Sequence, residues 1–122
     1  MALFADILVG LVALTHAGIL VVEMFLWRRP AIHQRLGFTQ DQANQAAPIV
    51  ANAGLFNGFL AAGLVWGLAG AADPLAVKTF FLGCIVLAGV FGAATLKWTT
   101  LLLQSLPAAA ALIAAWAARP IA

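Results

Sequence analysis

The chain has 122 residues, of which 65% are hydrophobic and 8% are charged, and its formal net charge is +2. Soluble domains carry about 25% charged residues, and a chain this short has too much surface for its volume to hide so many apolar side chains from water. The composition therefore excludes an ordinary soluble domain and predicts a protein that lies in a lipid bilayer. The basic residues form no patch interleaved with aromatics, so nucleic acid is not expected as a partner.

Four apolar runs predict four transmembrane helices. Each run is close to the roughly 20 residues that cross the hydrocarbon of a bilayer, and helices are expected because an open sheet edge cannot face lipid. The predicted fold class is therefore all-α, an integral membrane four-helix bundle in a single domain over residues 1–122. The predicted helices cover residues 3–27, 47–68, 75–96 and 99–118, with a kink at Pro107 in the last one.

The first run is predicted to be a retained helix and not a signal peptide, because no basic residue precedes it and its first charge is Asp6. A single long polar connection follows, over residues 28–46. Lys and Arg near the span ends set orientation. Four of them fall on the side of the long loop and two on the other, which predicts a cytoplasmic loop and both termini outside. The four are Arg28, Arg29, Arg35 and Lys97, and the two are Lys78 and Arg119.

Small residues dominate the second run and predict close helix packing. Small residues four apart let helix backbones approach closely, and the two sets present here fall on different faces, so neighbours are expected on more than one side. The first set is Gly54, Gly58 and Ala62, and the second is Gly63 and Gly67. Because four short helices enclose little volume, a homo-oligomer, a dimer or a trimer, is also expected. The only cysteine, Cys84, is interpreted as a buried thiol, which leaves no disulfide within one chain.

Polar side chains within the apolar runs are the candidates for function, because such groups are costly in hydrocarbon and usually face protein or a cavity. With a rise of 1.5 Å per residue, they all fall in the half of the membrane near the long loop, or at the midplane. Counted this way, Glu23 lies at the depth of Asn52 and Gln104, and His16 at the depth of Asn57. The predicted ligand-binding candidates are His16, Glu23, Asn52, Asn57 and Gln104, with Thr95 as a weaker one.

Each of these residues also has a structural interpretation. The two asparagines can join helices to each other, and about 140° of helix rotation separates them, so they are expected to meet different neighbours. Gln104 can bond a carbonyl freed by Pro107. His16 can be a neutral core residue, and Glu23 can reach the interface or pair with Arg28 or Lys97. His16 and Glu23 supply two metal ligands where zinc needs three or four, so no metal and no cofactor is predicted.

Three segments carry a resemblance to a known family: HAGILVVEMFLW, ANAGLFNGFLAAGLVWGL and GAATLKWTTLLLQSLPAAAAL. They resemble the small bacterial integral membrane proteins grouped as domain of unknown function 1304, over nearly the whole chain. The resemblance implies a bacterial inner-membrane location. Position 53 is Ala where members often carry Gln, and position 56 is Phe where Tyr is common.

The architecture is also similar to that of the membrane-associated eicosanoid and glutathione metabolism proteins. Those proteins are trimers that bind glutathione and lipophilic substrates between subunits, with Arg and Glu on the second helix. The corresponding stretch here, QANQAAPIVANAGLFNG, has neither residue type, so a glutathione site of that kind is not expected.

Three functions remain open from the sequence. The favoured one is binding of a small amphipathic or lipid-like ligand in a polar pocket in the cytoplasmic half. The alternatives are a structural or accessory subunit of a membrane complex, and translocation of protons or small solutes by an oligomer. No catalytic residue is assigned, and whether the protein is an enzyme stays open.

Overall fold

The computed structural model describes residues 1–121, and these are all-helical, with 85% of residues in helix and no strand in that part of the chain. Two of the helical stretches contain a π-helical segment, a wider turn with i→i+5 hydrogen bonds. In chain order the elements are α1 (Ala2–Val21) continued by a π segment (Val22–Leu26), the short α2 (Pro30–His33) with a 3₁₀ turn (Gln34–Leu36), α3 (Gln40–Ala69), α4 (Pro74–Thr95), and a π segment (Leu101–Ser105) continued by α5 (Leu106–Ala117).

Three helical stretches are long and apolar enough to cross a membrane. They are Ala2–Leu26 with 25 residues, α3 with 30 residues and α4 with 22 residues. The last stretch, Leu101–Ala117, is apolar but shorter. The all-α class and a composition suited to a membrane are therefore confirmed.

Helix α3 begins seven residues before the span predicted from hydropathy, because a capping box starts it at Thr39. The hydroxyl of Thr39 accepts a hydrogen bond from the backbone N–H of Gln42 at 3.2 Å, and the side chain of Gln42 accepts one from the N–H of Thr39 at 2.9 Å. This exchange satisfies two amide groups that a helix N-terminus leaves free. The second half of the long connection is thus helical, although it is polar.

The first half of the long connection folds back against the start of α3. The indole Nε1 of Trp27 donates to the carbonyl of Ala43 at 2.9 Å, and its ring meets Phe38 edge-on with centroids 5.2 Å apart. His33 is fully buried, with Nδ1 2.9 Å from the carbonyl oxygen of Phe38 and Nε2 3.2 Å from Oε1 of Gln40. These contacts give the loop a defined shape over one end of the helices.

The long helices pack in a closed order, α1 against α3 and α5, and α4 against α3 and α5. Glycines on two sides of α3 make its contacts close. A Cβ at Gly54 or Gly58 would meet α1, whereas a Cβ at Gly63 would fall on the ring of Phe81 in α4, and one at Gly67 would meet Lys78. Ala62, placed in the first small-residue set by its spacing, is exposed. The buried core consists of Val9, Val12, Ala13, Leu64, Leu82, Ile85, Ala108 and Ala111.

The distortion expected at Pro107 takes the form of the π segment that precedes it. Pro107 is the second residue of α5, which continues the π segment, so its missing N–H lies inside a continuous helical stretch and the wider turn before it accommodates the lost hydrogen bond. On the preceding turn the Ser105 hydroxyl donates to the carbonyl of Val86 at 2.9 Å, and the Thr100 hydroxyl donates to the carbonyl of Gly89 at 2.9 Å. The widened turn therefore brings its side chains onto the backbone of α4.

Candidate functional site

A cleft of about 630 Å³ opens beside Glu23. It lies between the end of α1, the long loop, and the connection from α4 to α5. We call it the Glu23 cleft. Its polar lining consists of Thr15, Glu23, Thr99, Thr100 and Gln104, and its apolar lining of Gly18, Ile19, Val22, Trp27, Ile32, Leu36, Leu96 and Leu103. The volume and the mostly apolar wall with a few polar groups are typical of small-molecule sites.

The two π segments each contribute one polar side chain to this cleft. Glu23 belongs to the segment Val22–Leu26, and Gln104 belongs to the segment Leu101–Ser105. Inserted π turns occur frequently at functional sites, because the extra residue per turn redirects side chains that a regular helix would aim elsewhere. The structure thus brings together two of the residues singled out in the sequence, Glu23 and Gln104.

Asn57 forms a hydrogen bond with the carboxylate of Glu23. Its Nδ2 donates to Oε2 of Glu23 at 3.2 Å and to the carbonyl of Ala53 at 3.1 Å. The depth count placed Glu23 level with Asn52, but the observed partner is Asn57. The partner is decided by which side of α3 faces Glu23. Gly54 lies against Glu23, and Asn57 lies three residues later on the same side. The side chain of Asn57 leans toward the helix N-terminus and so toward Glu23.

The approach between Glu23 and α3 depends on the absence of a side chain at position 54. A Cβ built there would lie 2.8 Å from Cβ of Glu23 and 3.3 Å from the carbonyl oxygen of Leu20. Both are atoms close to the backbone, so they cannot turn away. Gly54 therefore sets the distance at which Asn57 reaches the carboxylate.

Two of the sequence candidates lie outside the cleft. His16 is fully buried, with Nδ1 2.9 Å from the carbonyl oxygen of Val12 and Nε2 without a partner among the described residues. Asn52 is exposed on α3 and makes no side-chain hydrogen bond within residues 1–121. The five candidates therefore separate into a cleft pair, Glu23 and Gln104, a supporting residue, Asn57, and two residues elsewhere.

Glu23 has no basic partner in the part of the chain that the structure describes. Lys97, one of the two partners considered from the sequence, instead donates from Nζ to the carbonyl of Arg35 at 3.1 Å. Arg28, the other, lines a second groove of about 390 Å³ on the far side of Glu23 and forms no ion pair there. The carboxylate thus has an amide for a neighbour and faces open space on two sides.

Sequence reasoning missed several lining residues and one ion pair. Ile32 and Leu36 come from the polar loop, and their apolar side chains in a basic segment were the only signal for a role in the cleft. At the opposite end of the helices, Nζ of Lys78 pairs with Oδ1 of Asp6 at 2.6 Å. These two residues are 72 positions apart, and only their similar depth near the far end of two runs could have indicated the pair.

The geometry defines an all-helical protein with helices suited to a membrane and a largely apolar cleft that contains one carboxylate. No three His, Cys, Asp or Glu side chains among residues 1–121 are grouped so that they could hold a metal ion. Residues 10–116 match the protein family of unknown function DUF1304, and the chain belongs to this family. Among curated proteins and among solved structures, no match to the chain was found.

Proposed function

We propose that this protein crosses the inner membrane of a bacterium with four helices and binds a small amphipathic molecule in the Glu23 cleft. The observation that carries the proposal is the cleft itself. An apolar wall large enough for an alkyl chain surrounds a few polar side chains, among them Glu23 and Gln104. Such a lining matches a molecule with one apolar chain and one small polar head.

The chemistry of the head follows from Glu23. A carboxylate has only acceptors to offer, and one of its oxygens already accepts from Asn57. The second oxygen suits a ligand that donates hydrogen bonds, and a cationic amine would also neutralise the charge. Gln104 both donates and accepts, and it would orient the same head from the other π segment. A ligand with an anionic head would meet like charge at Glu23 and is not favoured.

The topology that we propose follows the positive charges and agrees with the contacts of the described residues. The hydrogen bond from Lys97 to Arg35 joins the α4–α5 connection to the long loop at one end. The ion pair of Lys78 and Asp6 lies at the other end. Loops that carry Lys and Arg stay in the cytoplasm, so the long loop and the open side of the Glu23 cleft would face the cytoplasmic leaflet.

Tryptophan fluorescence tests the proposal, because Trp27 lines the cleft. The other three tryptophans are replaced in a Trp66→Phe, Trp98→Phe, Trp116→Phe background, and the protein is placed in vesicles of phosphatidylethanolamine and phosphatidylglycerol. Brominated dodecylamine should quench Trp27 saturably, and brominated dodecanoic acid should quench it less. Glu23→Gln and Gln104→Leu should each weaken quenching by the amine. Asp41→Asn removes an exposed carboxylate in the first turn of α3, outside the lining of the cleft, and is the matched control.

Two results would contradict the binding function. One is quenching that rises linearly with the brominated amine in the parent protein, as for a tryptophan that meets the probe only in bulk lipid. The other is saturable quenching that Glu23→Gln leaves unchanged. A native mass spectrum of protein released in mild detergent gives a separate test, since a reproducible small-molecule adduct that Glu23→Gln removes would identify the natural ligand by mass.

Translocation through a single chain has less support. Between the polar groups near the loop and the ion pair at the far end lies the apolar core, with Val9, Val12 and Ala13 on α1 and Leu82 and Ile85 on α4. These side chains are almost completely buried, and on α1 no polar side chain lies between Asp6 and Thr15. A role as accessory subunit is compatible with the fold. It would be favoured if the native mass spectrum shows no adduct and the brominated amine does not quench Trp27 saturably.

A further inference from the structure

One face of α3 is exposed over residues 45–59. Its residues follow one another at intervals of four, three, four and three, and all are exposed. We call this face the α3 seam: Gln45, Ile49, Asn52, Phe56 and Phe59. Ile49 is 76% exposed, Phe56 57% and Phe59 53%. Alternating spacings of four and three place side chains in the straight line along which two helices of a left-handed coiled coil meet.

The amide of Asn52 is the polar group in this seam. Trp27, an aromatic residue of the kind that marks a membrane interface, bonds Ala43 at the start of the helix. The apolar run begins one turn after Ala43, at Ala47, and Asn52 lies about 8 Å further along the helix, inside this run. Within the described chain its donors and its acceptor stay free, whereas Asn57 on the inner side has two acceptors. A free amide in hydrocarbon costs several kcal/mol, so a partner for it is expected outside the chain.

We infer that the α3 seam pairs with the α3 seam of a second copy of this chain, with Asn52 hydrogen-bonded to Asn52 across a twofold axis normal to the membrane. A carboxamide carries both a donor and an acceptor, so it is complementary to itself. In a twofold interface each residue near the axis meets its own counterpart. Copies inserted in the same orientation bring these two amides to the same depth, a match that no other partner provides automatically.

The neighbours of Asn52 agree with a helix in this place. Ile49 and Phe56, three before it and four after it, would pack as knobs on either side of the amide pair. Phe56 and Phe59 already form an edge-on pair with centroids 5.5 Å apart, which presents a shaped aromatic surface. A single Asn in such a seam fixes register and the number of helices in coiled coils, and interhelical amide bonds act similarly in membranes.

Part of the surface of α3 is already occupied. Gly54 and Gly58 face α1, and Gly63 and Gly67 face α4. Gly63 follows Phe59 by four residues and continues the line of the seam, so α4 covers this side of α3 beyond Phe59. Up to Phe59 the side chains of the seam are exposed, and a further helix can approach there without displacing α4. The seam also lies away from the Glu23 cleft, none of whose lining residues belongs to α3. Dimerisation and ligand binding are consequently separable, and neither test depends on the other.

Cross-linking in dilute vesicles tests the location of the interface. In a Cys84→Ser background, Phe56→Cys places one thiol in the seam, while Phe91→Cys on α4 and Ile113→Cys on α5 place one at positions that are each 71% exposed. A short bis-maleimide should link Phe56→Cys into a dimer and leave the other two variants as monomers. Equal linking at all three positions, or linking only at a control position, would overturn the inference.

Energy transfer between donor- and acceptor-labelled copies tests the amide. Asn52→Val removes the hydrogen bonds of the side chain, and it should raise the dissociation constant by about fivefold or more. Thr95→Val is the matched control, because Thr95 is an exposed hydroxyl on α4 that bonds its own helix at Phe91. Energy transfer that Asn52→Val leaves unchanged, or its absence in the parent protein, would refute the pairing.

Discussion

Asn57 donates a hydrogen bond to Glu23 across 34 residues of sequence, and this 3.2 Å contact joins α3 to the π segment at the end of α1. The bond fixes one carboxylate oxygen, Oε2, and leaves Oε1 without a hydrogen bond from the described residues. It also explains how a carboxylate that forms no ion pair with the described residues is held in place. The first prediction concerns this bond.

Asn57→Ala should lower the free energy of unfolding by about 1 kcal/mol, because the bond joins two helices in an apolar setting. Asn57→Asp should cost more, since it sets a second acidic group against Glu23. Unfolding in mixed micelles with increasing denaturing detergent measures both. Asn52→Ala, in protein diluted to the monomer, is the control and should change little. An Asn57→Ala protein as stable as the parent would show that the hydrogen bond makes no net contribution to the free energy of unfolding.

Replacing a glycine by alanine should change the free energy of unfolding in opposite directions at Gly54 in α3 and at Gly83 in α4. Alanine is favoured over glycine by about 1 kcal/mol in a helix interior, so Gly83→Ala, where a Cβ meets nothing within 4 Å, should stabilise. Gly54→Ala should destabilise in spite of its propensity, because the new Cβ would lie 2.8 Å from Cβ of Glu23. The same unfolding assay compares them. Stabilisation by both substitutions would mean that α1 and α3 can separate at little cost.

The ion pair of Asp6 and Lys78 should respond asymmetrically to removal of each partner. The side chain of Lys78 is 13% exposed and that of Asp6 is 45% exposed. Asp6→Asn leaves a mostly buried ammonium without its partner, whereas Lys78→Met leaves a carboxylate that water reaches, so Asp6→Asn should be the more damaging variant. A double-mutant cycle with both changes gives the coupling, expected at about 1 kcal/mol. A coupling of zero would contradict this account.

His33 should control the order of the loop above the cleft. Its two ring nitrogens contact Phe38 and Gln40, one on each side. His33→Ala removes both contacts and a fully buried ring, so amide hydrogen exchange over residues 30–38 should rise by at least about tenfold, the factor that corresponds to about 1.4 kcal/mol. Arg35→Ala is the control, since Arg35 contributes its backbone carbonyl to the bond with Lys97. Similar exchange in both variants would show that the ring does not order the loop.

The sequence predicted the helical class and the apolar stretches well, because hydropathy over a helix length is an additive property of the residues. It predicted less well which side chains meet. Glu23 and Gln104 reach one cleft through two π segments, and no periodicity of 3.6 signals an inserted residue. The early start of α3 was readable in principle, from Thr39 and Gln42 spaced as a capping box, but the polar composition of that segment favoured a loop.

The two asparagines also show that the sequence does not determine which side chains meet. Their separation by about 140° of rotation predicts different surroundings, and in the structure Asn57 bonds Glu23 whereas Asn52 is exposed. Depth alone then matched Glu23 with Asn52, since a rise per residue contains no information on which face of a neighbouring helix is turned inward. Gly54 supplies that information in the structure, because the closest point between α1 and α3 lies at a residue without a side chain.

Phe81 of α4 occupies the place that a side chain at Gly63 of α3 would take. The side chains at positions 63 and 81 therefore compete for the same space, and a larger residue at one position requires a smaller residue at the other. Their contact also fixes how far α4 can slide along α3, and with it the length of the turn at residues 70–73 that joins them. That turn should tolerate exchange of its residues far better than insertion or deletion of one, so related proteins should vary there in composition and hardly in length.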